Sequence, residues 1–192
     1  MPAAASSDVL IISGAHRKGG NTDILTEHIA AALARHSLSH TDIILREKDI
    51  RPCTACLSCE RDNNCVITDD MQALYPLLES SRVVVLVTPL YFFSMSSLMK
   101  IFIDRCQMLY ARRFIHKAGS DTRGRTGIIV SLGATRKKKR FIGVTLTADF
   151  FFRTIGIRKM RTLYFTKVEK RGDIDTVKDI DKRIERVIDG IK

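Results

Sequence analysis

The sequence predicts a doubly wound α/β fold, with a five-stranded parallel sheet in the order 2-1-3-4-5 and helices on both faces. Short apolar runs alternate along the chain with segments whose apolar residues recur every three or four positions, as in strands and amphipathic helices. The run Arg82–Thr88 (RVVVLVT) is largely apolar and β-branched, which is typical of a strand buried on both faces. The chain of 192 residues contains no internal repeat and no low-complexity linker. We therefore expect residues 1–192 to form a single domain.

Five strands are predicted from short apolar or β-branched runs that polar residues, glycine or proline bound. They are Asp8–Ser13, Thr41–Arg46, Arg82–Thr88, Thr126–Leu132 and Lys159–Val168. The last run alternates apolar and polar residues, as an outer strand does. Strands joined by helices pair in parallel with right-handed crossovers, so ligands are expected at the carboxyl ends of strands 1, 3 and 4.

Five helices are predicted from apolar residues that share one helix face. The first four span residues 21–36, Asp69–Ser80, 95–113 and 141–155. The final helix spaces its apolar residues by three and four positions, at Val177, Ile180, Ile184, Val187 and Ile191. Asp69 or Asp70 is expected to cap the second helix. Cys106, on the apolar face of the third helix, is expected to pack in the core.

Composition and the first residues predict a cytoplasmic protein with no membrane partner. Hydrophobic residues make up 45% of the chain and charged residues 28%, which is ordinary for a soluble globular protein. The longest apolar runs are far too short to span a bilayer. The first residues, MPAAASSD, lack the basic start and apolar stretch of a signal peptide. In the cytoplasm, clustered cysteines indicate a metal or redox group rather than structural disulfides.

The chain is strongly basic, with 32 Lys and Arg against 21 Asp and Glu and a net charge of +11. The excess is concentrated in residues 112–125 and in Arg136–Arg140 (RKKKR). Such charge permits nucleic acid, acidic proteins or phosphorylated ligands as partners, although most basic runs are only solvated loops. The sequence has no basic face interleaved with aromatic residues and no recognised nucleic-acid-binding module. This argues against nucleic acid as the partner.

The loop after the first strand, Gly14–Thr22 (GAHRKGGNT), is rich in glycine and leads directly into a helix. Glycines let backbone approach a ligand closely, and the helix start offers free amides and a positive dipole end to an anion. Arg17 and Lys18 add charge, while Asn21 and Thr22 can bind phosphate oxygens or cap the helix. The loop has neither the Gly-Lys-Ser/Thr order of a Walker loop nor a GxGxxG pattern. Phosphate binding and a plain glycine-rich turn both remain open on composition alone.

Four motifs in this order resemble those of the NADPH-dependent FMN reductase-like flavoproteins. They are SGAHRKGGNTDIL after the first strand, Asp69–Met71 (DDM), Thr88–Ser96 (TPLYFFSMS) and Lys100–Arg105 (KIFIDR). The resemblance runs from about Val9 to Arg105 and fades in the last ninety residues. It implies a flavodoxin-like fold with noncovalent FMN, its phosphate at residues 14–22 and its isoalloxazine against residues 88–94. The implied flavin contacts are Ala15, His16, Arg17, Lys18, Gly20, Asn21, Thr22, Pro89, Leu90, Tyr91, Phe92, Phe93 and Gly133.

Three residues depart from the pattern of that family. Ala15 replaces the usual phosphate-binding serine, and His16 replaces the usual proline, so Arg17 and its neighbours must carry more of the phosphate contact. Phe93 stands where a small residue is common, which predicts altered access to the flavin ring. Taken alone, the aromatic run 91–93 would more often be a loop packed on the core. Its place beside the predicted phosphate loop favours contact with the flavin.

Four cysteines lie close together in an insert loop at about residues 47–68, as Cys53-x2-Cys56-x2-Cys59-x5-Cys65. Thiolates at successive three-residue spacings can wrap a cuboidal cluster, whereas structural zinc more often has its ligands in two separated pairs. The spacing therefore favours [4Fe-4S] over zinc, with free thiols as a further alternative. The motif also resembles that of the iron-sulfur flavoproteins, in which such a cluster exchanges electrons with FMN. That branch implies a homodimer or homotetramer, with flavin sites at subunit contacts.

These observations together predict an FMN-binding redox flavoprotein that transfers electrons between an NAD(P)H or iron-sulfur donor and an acceptor. The resemblance makes it an oxidoreductase whose chemistry resides on the flavin, with no catalytic side chain. An acidic, ferredoxin-type protein is the partner expected for Arg136–Arg140. The alternatives are a plain NAD(P)H-dependent FMN or quinone-type reductase without a cluster, and a pure electron carrier. A nucleic-acid-binding protein and a zinc-stabilised structural domain are the rivals from other classes.

Overall fold

The computed structural model describes residues 8–118 and 124–191, which form a five-stranded parallel sheet in the order β2-β1-β3-β4-β5. The strands are β1 (Val9–Ser13), β2 (His40–Ile44), β3 (Val83–Pro89), β4 (Thr126–Gly133) and β5 (Lys159–Thr166). Every residue of β1, β3 and β4 is buried, because helices cover both faces of the sheet. The predicted fold class and strand order are confirmed.

Seven α-helices connect and follow these strands in the described residues. They are α1 (Asn21–Arg35), α2 (Ser58–Asp62), α3 (Met71–Ser80), α4 (Ser97–Arg105), α5 (Gln107–Tyr110), α6 (Ile142–Thr154) and α7 (Ile180–Ile188). Short 3-10 turns occupy Leu45–Glu47, Lys138–Phe141 and Asp173–Thr176, and a π turn occupies Ala111–Ile115. None of the described helices is long and apolar enough to cross a membrane.

The alternation of side chains along each strand divides the core into two halves. Leu10 and Ile12 face α3, α4 and α6 on one side of the sheet, whereas Val9 and Ile11 face α1 and α7 on the other. The register of the central strands places Ser13 beside Val87. The carboxyl ends of β1, β3 and β4 therefore lie at one edge of the sheet, where the next loops meet.

The single long helix predicted for residues 95–113 is wrong. The structure has α4, which ends at Arg105, then α5 and the π turn. The hydroxyl of Tyr75 donates a 3.0 Å hydrogen bond to the carbonyl of Arg105, which occupies an acceptor that a continuous helix would use. Helix α4 begins where the side chain of Ser96 accepts a hydrogen bond from the amide of Met99. Cys106, at the break, is buried in the core as predicted.

Other boundaries differ from the prediction by a few residues, and each difference has a local cause. The second strand ends at Ile44 rather than Arg46, because the chain turns into a 3-10 helix. The fifth ends at Thr166, because the next residue is left-handed. Val177 is extended rather than helical, so α7 begins three residues later. At the start of α3, Asp69 accepts a hydrogen bond from the amide of Met71, whereas Asp70 makes no side-chain cap bond.

Candidate functional site

A cleft of about 570 Å³ opens at the carboxyl edge of the sheet, where the loops after β1, β3 and β4 meet. Every predicted flavin contact lines it except Phe92 and Phe93. A Cβ atom on Gly133 would lie 2.9 Å from Cβ of Leu90, so glycine is needed where these two loops approach. Five lining residues were missed by sequence reasoning: Leu132, Ala134, Val168, Glu169 and Arg171. The last three belong to the segment after β5, in which the sequence contains no recognisable motif.

The start of α1 forms the anion-binding end of this cleft. Gly20 precedes the helix in extended conformation, and its carbonyl accepts the first helical hydrogen bond, from Ile24, at 3.1 Å. The amides of residues 21–23 have no partner within the helix and lie at its positive end. Arg17 and Lys18 are exposed beside them. Neither side chain is held by a hydrogen bond or ion pair among the described residues, so both are available to an anion.

The side chain of Asn21 is committed to the segment after β5. Its amide nitrogen donates to the carbonyl of Lys170 at 2.7 Å, and its oxygen accepts from the amides of Gly172 at 2.9 Å and Ile174 at 3.4 Å. Asn21 lines the cleft, and its side chain fixes the neighbouring loop. That loop brings a further cation, Arg171, to the cleft.

Gly19 lies where two charged groups converge on the loop. Its φ of +64° is left-handed, and a Cβ here would lie 2.6 Å from the guanidinium of Arg171. Its amide donates to Asp23 at 2.8 Å, and the other oxygen of Asp23 accepts from Arg46 at 2.7 Å. The half-buried Asp23–Arg46 ion pair anchors the loop through the amide of Gly19, and the exposed Arg171 packs against the same glycine. Neither contact has a local signature in the sequence.

The loop after β3 turns tightly between Tyr91 and Ser94, which exchange backbone hydrogen bonds of 3.0 and 2.8 Å. Phe92 and Phe93, at the two central positions, are both left-handed, with φ of 48° and 60°. Bulky residues rarely adopt this conformation, and it costs about 1–3 kcal/mol at each position. Phe92 is fully exposed, and Phe93 lies 4.9 Å from the guanidinium of Arg140. Both line a hollow of about 350 Å³ next to the cleft rather than the cleft itself.

His16 joins the cleft to helix α4. Its Nε2 atom lies 2.9 Å from the hydroxyl oxygen of Ser97, the first residue of α4. Its ring centroid is 5.8 Å from that of Tyr91. Ser96 ties the same helix start to the first loop, since its hydroxyl donates to the carbonyl of Gly14 at 2.8 Å. The amino end of α4 thus contacts a residue that lines the cleft, His16.

The carboxyl end of α4 reaches a second cavity, of about 300 Å³, which all four clustered cysteines line. Cys53 and Cys56 are exposed and Cys59 and Cys65 are half-buried, and none of the four forms a disulfide. Among the described residues, no three of these sulfur atoms lie within 4.8 Å of one another. The loop folds around the cavity through three left-handed residues other than glycine, namely Ala55, Leu57 and Asn63.

The thiols of this region differ in their surroundings. A hydrogen bond with Ser58 lowers the pKa of Cys56, whereas burial raises the pKa of Cys59. The core residue Cys106 has a pKa raised by complete burial. The four loop cysteines are the thiols that line the cavity and could hold a metal group there. Cys106 lies outside that set, as predicted.

Arg105 and Asp69 form an ion pair beside the cysteine cavity, and both side chains are completely buried. Burial opposes ionisation of Asp69, but hydrogen bonds from Arg105 and from the amides of Arg51 and Met71 outweigh it and lower the pKa of this carboxyl. The guanidinium of Arg105 also donates to the sulfur of Cys65 at 3.5 Å. Sequence reasoning had placed both residues in family motifs, but their burial at the cysteines was not visible from the pattern.

Comparison with known proteins identifies the family to which this chain belongs. Residues 7–184 match the family model for NADPH-dependent FMN reductase. An iron-sulfur flavoprotein of Methanocaldococcus jannaschii is 28% identical over 143 residues, which cover 74% of this chain and 70% of that protein. Another, of Methanosarcina thermophila, is 30% identical over 128 residues, 65% of this chain and 62% of its own length. The chain therefore spans less than two thirds of the second relative.

Solved structures share the fold at low sequence identity. An NAD(P)H:quinone oxidoreductase from Methanothermobacter marburgensis superposes with a TM-score of 0.74 at 13% identity, covering 98% of this chain and 100% of that one. An FMN-dependent NADH-azoreductase from Bacillus anthracis, solved in complex with FMN, gives a TM-score of 0.64 at 14% identity, covering 93% and 96%. The chain belongs to the NADPH-dependent FMN reductase family and is an oxidoreductase of that flavoprotein family.

Proposed function

We propose that this protein binds one FMN in the cleft and a [4Fe-4S] cluster in the cysteine cavity, and transfers electrons between them. The observation that carries the proposal is the position of α4. Its first residue, Ser97, contacts His16 in the cleft, and its last residue, Arg105, lies in the cysteine cavity. At 1.5 Å per residue, the helix separates these points by roughly 12 Å along its axis.

The cleft fits FMN in volume and in the distribution of its groups. Its 570 Å³ lies within the roughly 300–1,000 Å³ usual for cofactor pockets. The phosphate would bind the free amides at the start of α1 and the cations Arg17 and Arg171, with Lys18 nearby. The isoalloxazine would lie against the backbone of Pro89–Tyr91 and the glycine at 133. When bound, the flavin supplies the redox chemistry, and the protein binds, orients and shields it.

The spacing and the placement of the cysteines favour an iron-sulfur cluster over a zinc ion. Structural zinc more often has its ligands in two separated pairs. Cys53, Cys56, Cys59 and Cys65 instead follow one another in a single loop, and all four line one cavity of about 300 Å³. Four thiolates around one cavity match a cluster held by cysteines. Two relatives that are named iron-sulfur flavoproteins support the same choice.

NAD(P)H and an acidic, ferredoxin-type protein are the proposed donors. The basic run Arg136–Arg140 follows β4, and its last residue lines the hollow beside the flavin cleft. A positive surface there would steer a nucleotide phosphate or an acidic protein towards the flavin edge. We include a homodimer or homotetramer in the proposal, because the resemblance of the sequence motifs to those of the iron-sulfur flavoproteins implies flavin sites at subunit contacts.

Anaerobic reconstitution with FMN, iron and sulfide tests the proposal. We expect about one FMN and about four iron and four sulfide per chain, with flavin and cluster bands in the absorption spectrum. Replacing the four loop cysteines by alanine should abolish the iron and leave FMN bound, because the flavin loops lie on other strands. Cys106→Ala is the matched control and should retain both. Iron uptake equal to that of the quadruple variant would refute the cluster and leave a plain FMN reductase.

Steady-state turnover with NADPH separates an enzyme from a carrier. An NAD(P)H-dependent reductase should turn over with a soluble acceptor, whereas a pure carrier should show little turnover and accept electrons only from a protein donor. Failure to bind FMN at all would overturn the flavin assignment.

A further inference from the structure

Arg105 is the residue of the cysteine region whose burial needs an explanation. Its side chain is completely buried, as is that of its partner Asp69. Removing two charges from water costs several kcal/mol per ion, and apolar residues of similar size often stabilise a fold equally well or better. Packing alone therefore gives no reason for an arginine at this position.

The contacts of Arg105 place it at both ends of the cysteine loop. One terminal nitrogen, Nη1, donates to the carbonyl of Arg51 at 2.8 Å and to the carboxylate of Asp69. The other, Nη2, donates to the carbonyl of Ile67 at 3.2 Å and to the second oxygen of Asp69 at 3.2 Å. Arg51 comes just before the first cysteine of the loop, and Ile67 just after the last. One planar group thus closes the loop.

The same guanidinium reaches a ligand sulfur. Nη2 lies 3.5 Å from the sulfur of Cys65, a distance suited to an N–H···S hydrogen bond. The Nε atom of Arg105 is buried and has no hydrogen-bond partner among the described residues. The acidic residue that lines this cavity, Asp104, is paired with Lys100 at 2.6 and 2.8 Å. The guanidinium of Arg105, held by Asp69, is therefore in direct hydrogen-bond contact with a sulfur of the loop.

We propose that Arg105 is a positioning residue of the cysteine site that closes the loop and raises the reduction potential of the cluster through its hydrogen bond to Cys65. The inference rests on the proposed function, because it concerns a cluster held by these cysteines. Adding an electron makes the cluster and its thiolates more negative, and a nearby cation and N–H donor stabilise that state. Asp69 fixes the guanidinium and offsets part of its charge, so the two residues act on the potential in opposite directions.

The test measures cluster and flavin potentials by anaerobic spectroelectrochemistry in reconstituted protein, with iron, sulfide and FMN counted in each sample. Arg105→Gln should shift the one-electron equilibrium of the cluster about tenfold towards the oxidised state, which lowers its reduction potential by about 59 mV. Asp69→Asn should shift it the other way. The flavin potential should stay constant in both variants, because the flavin cleft lies at the opposite end of α4.

Arg125→Gln is the matched control. Arg125 is also buried and does not line the cysteine cavity. Among residues 8–118 and 124–191, it donates only to backbone carbonyls, including those of Ser81 and Ile155 at 2.8 and 2.6 Å. It should leave the cluster potential unchanged. A general loss of packing would instead shift all three variants in one direction.

Unchanged cluster potential in iron-loaded Arg105→Gln, or a fall in potential in Asp69→Asn, overturns the role of Arg105. If Arg105→Gln does not fold or load, Arg105→Lys and Asp69→Asn decide the question. Lysine keeps the positive charge but has poorer hydrogen-bond geometry, so Arg105→Lys should lower the cluster potential by less than about 59 mV. Asp69→Asn must still raise the cluster potential. Unmodified protein that takes up no iron refutes the cluster itself, which distinguishes failure of the proposed function from failure of this inference.

Discussion

Replacing Asn21 by alanine removes the side chain that ties the start of α1 to the segment after β5. The amide makes two short hydrogen bonds, of 2.7 and 2.9 Å, and a longer one of 3.4 Å. At about 1 kcal/mol net for each short bond, the apo-protein should lose about 2 kcal/mol of unfolding free energy. Urea unfolding of flavin-free protein measures this directly, as a lower midpoint with an unchanged m value.

The same substitution separates two roles for Asn21. If its side chain bound the phosphate, as one interpretation of the loop sequence suggests, Asn21→Ala would weaken FMN binding and leave apo-protein stability unchanged. The structure predicts lower stability first, with weaker FMN binding as a consequence of displacing Arg171 from the cleft. Lys18→Ala is the control in the same loop. This exposed residue should change stability by less than about 0.5 kcal/mol. Equal stability of Asn21→Ala and Lys18→Ala would show that the Asn21 side chain does not hold the segment after β5 to the start of α1.

Three further predictions follow from charged groups. Arg17→Ala should weaken FMN binding by about 1.5–3 kcal/mol in a fluorescence titration, the usual contribution of a hydrogen bond to a charged group, and unchanged affinity would exclude Arg17 from the phosphate site. Burial opposes protonation of His28, but hydrogen bonds to Asp175 and Asp181 outweigh it and raise its pKa. The stability that His28 contributes should be fully present below about pH 6.5 and should be lost as the pH rises through the raised pKa. The difference in urea midpoint between native protein and His28→Asn should therefore shrink as the pH rises. A difference that stays constant with pH would contradict this prediction. Flavin reduction by an acidic protein donor should slow as the salt concentration rises, because exposed charges are screened beyond about 8–10 Å. Neutralising three residues of Arg136–Arg140 should make the rate less dependent on salt. A salt-independent rate in native protein would rule out electrostatic steering by this basic run.

The sheet could be predicted because its signals are local. A buried parallel strand is a short apolar run, and Arg82–Thr88 carries that pattern in its own residues. The break at Cys106 could not be predicted, because it depends on the hydroxyl of Tyr75, which is thirty residues away in the sequence. The two left-handed phenylalanines, Phe92 and Phe93, likewise have no local signature, since glycine or asparagine is the usual residue in such a turn.

The candidate site also contains features that the local sequence predicts and features that depend on distant residues. The loop after the first strand could be identified from its glycines and basic residues, and all of its predicted flavin contacts line the cleft. Arg171 was missed because its loop is held at the cleft by long-range hydrogen bonds between Asn21 and its neighbours Lys170 and Gly172, in a segment without a motif. The cysteines were visible as a spacing pattern. Their charged support, Arg105 with Asp69, is a product of burial, which spacing does not reveal.

In the proposed function, a cluster in the cysteine cavity transfers electrons to a flavin at the other end of α4. Anaerobic stopped-flow reduction of the flavin by a reduced ferredoxin-type protein tests it most directly, in native protein and in the variant with all four loop cysteines replaced by alanine. We expect rapid flavin bleaching in native protein and a large loss of rate in the variant, although dithionite should still reduce its flavin. Equal rates in the two proteins, both loaded with FMN, would show that the flavin does not receive its electrons through the cysteine cavity.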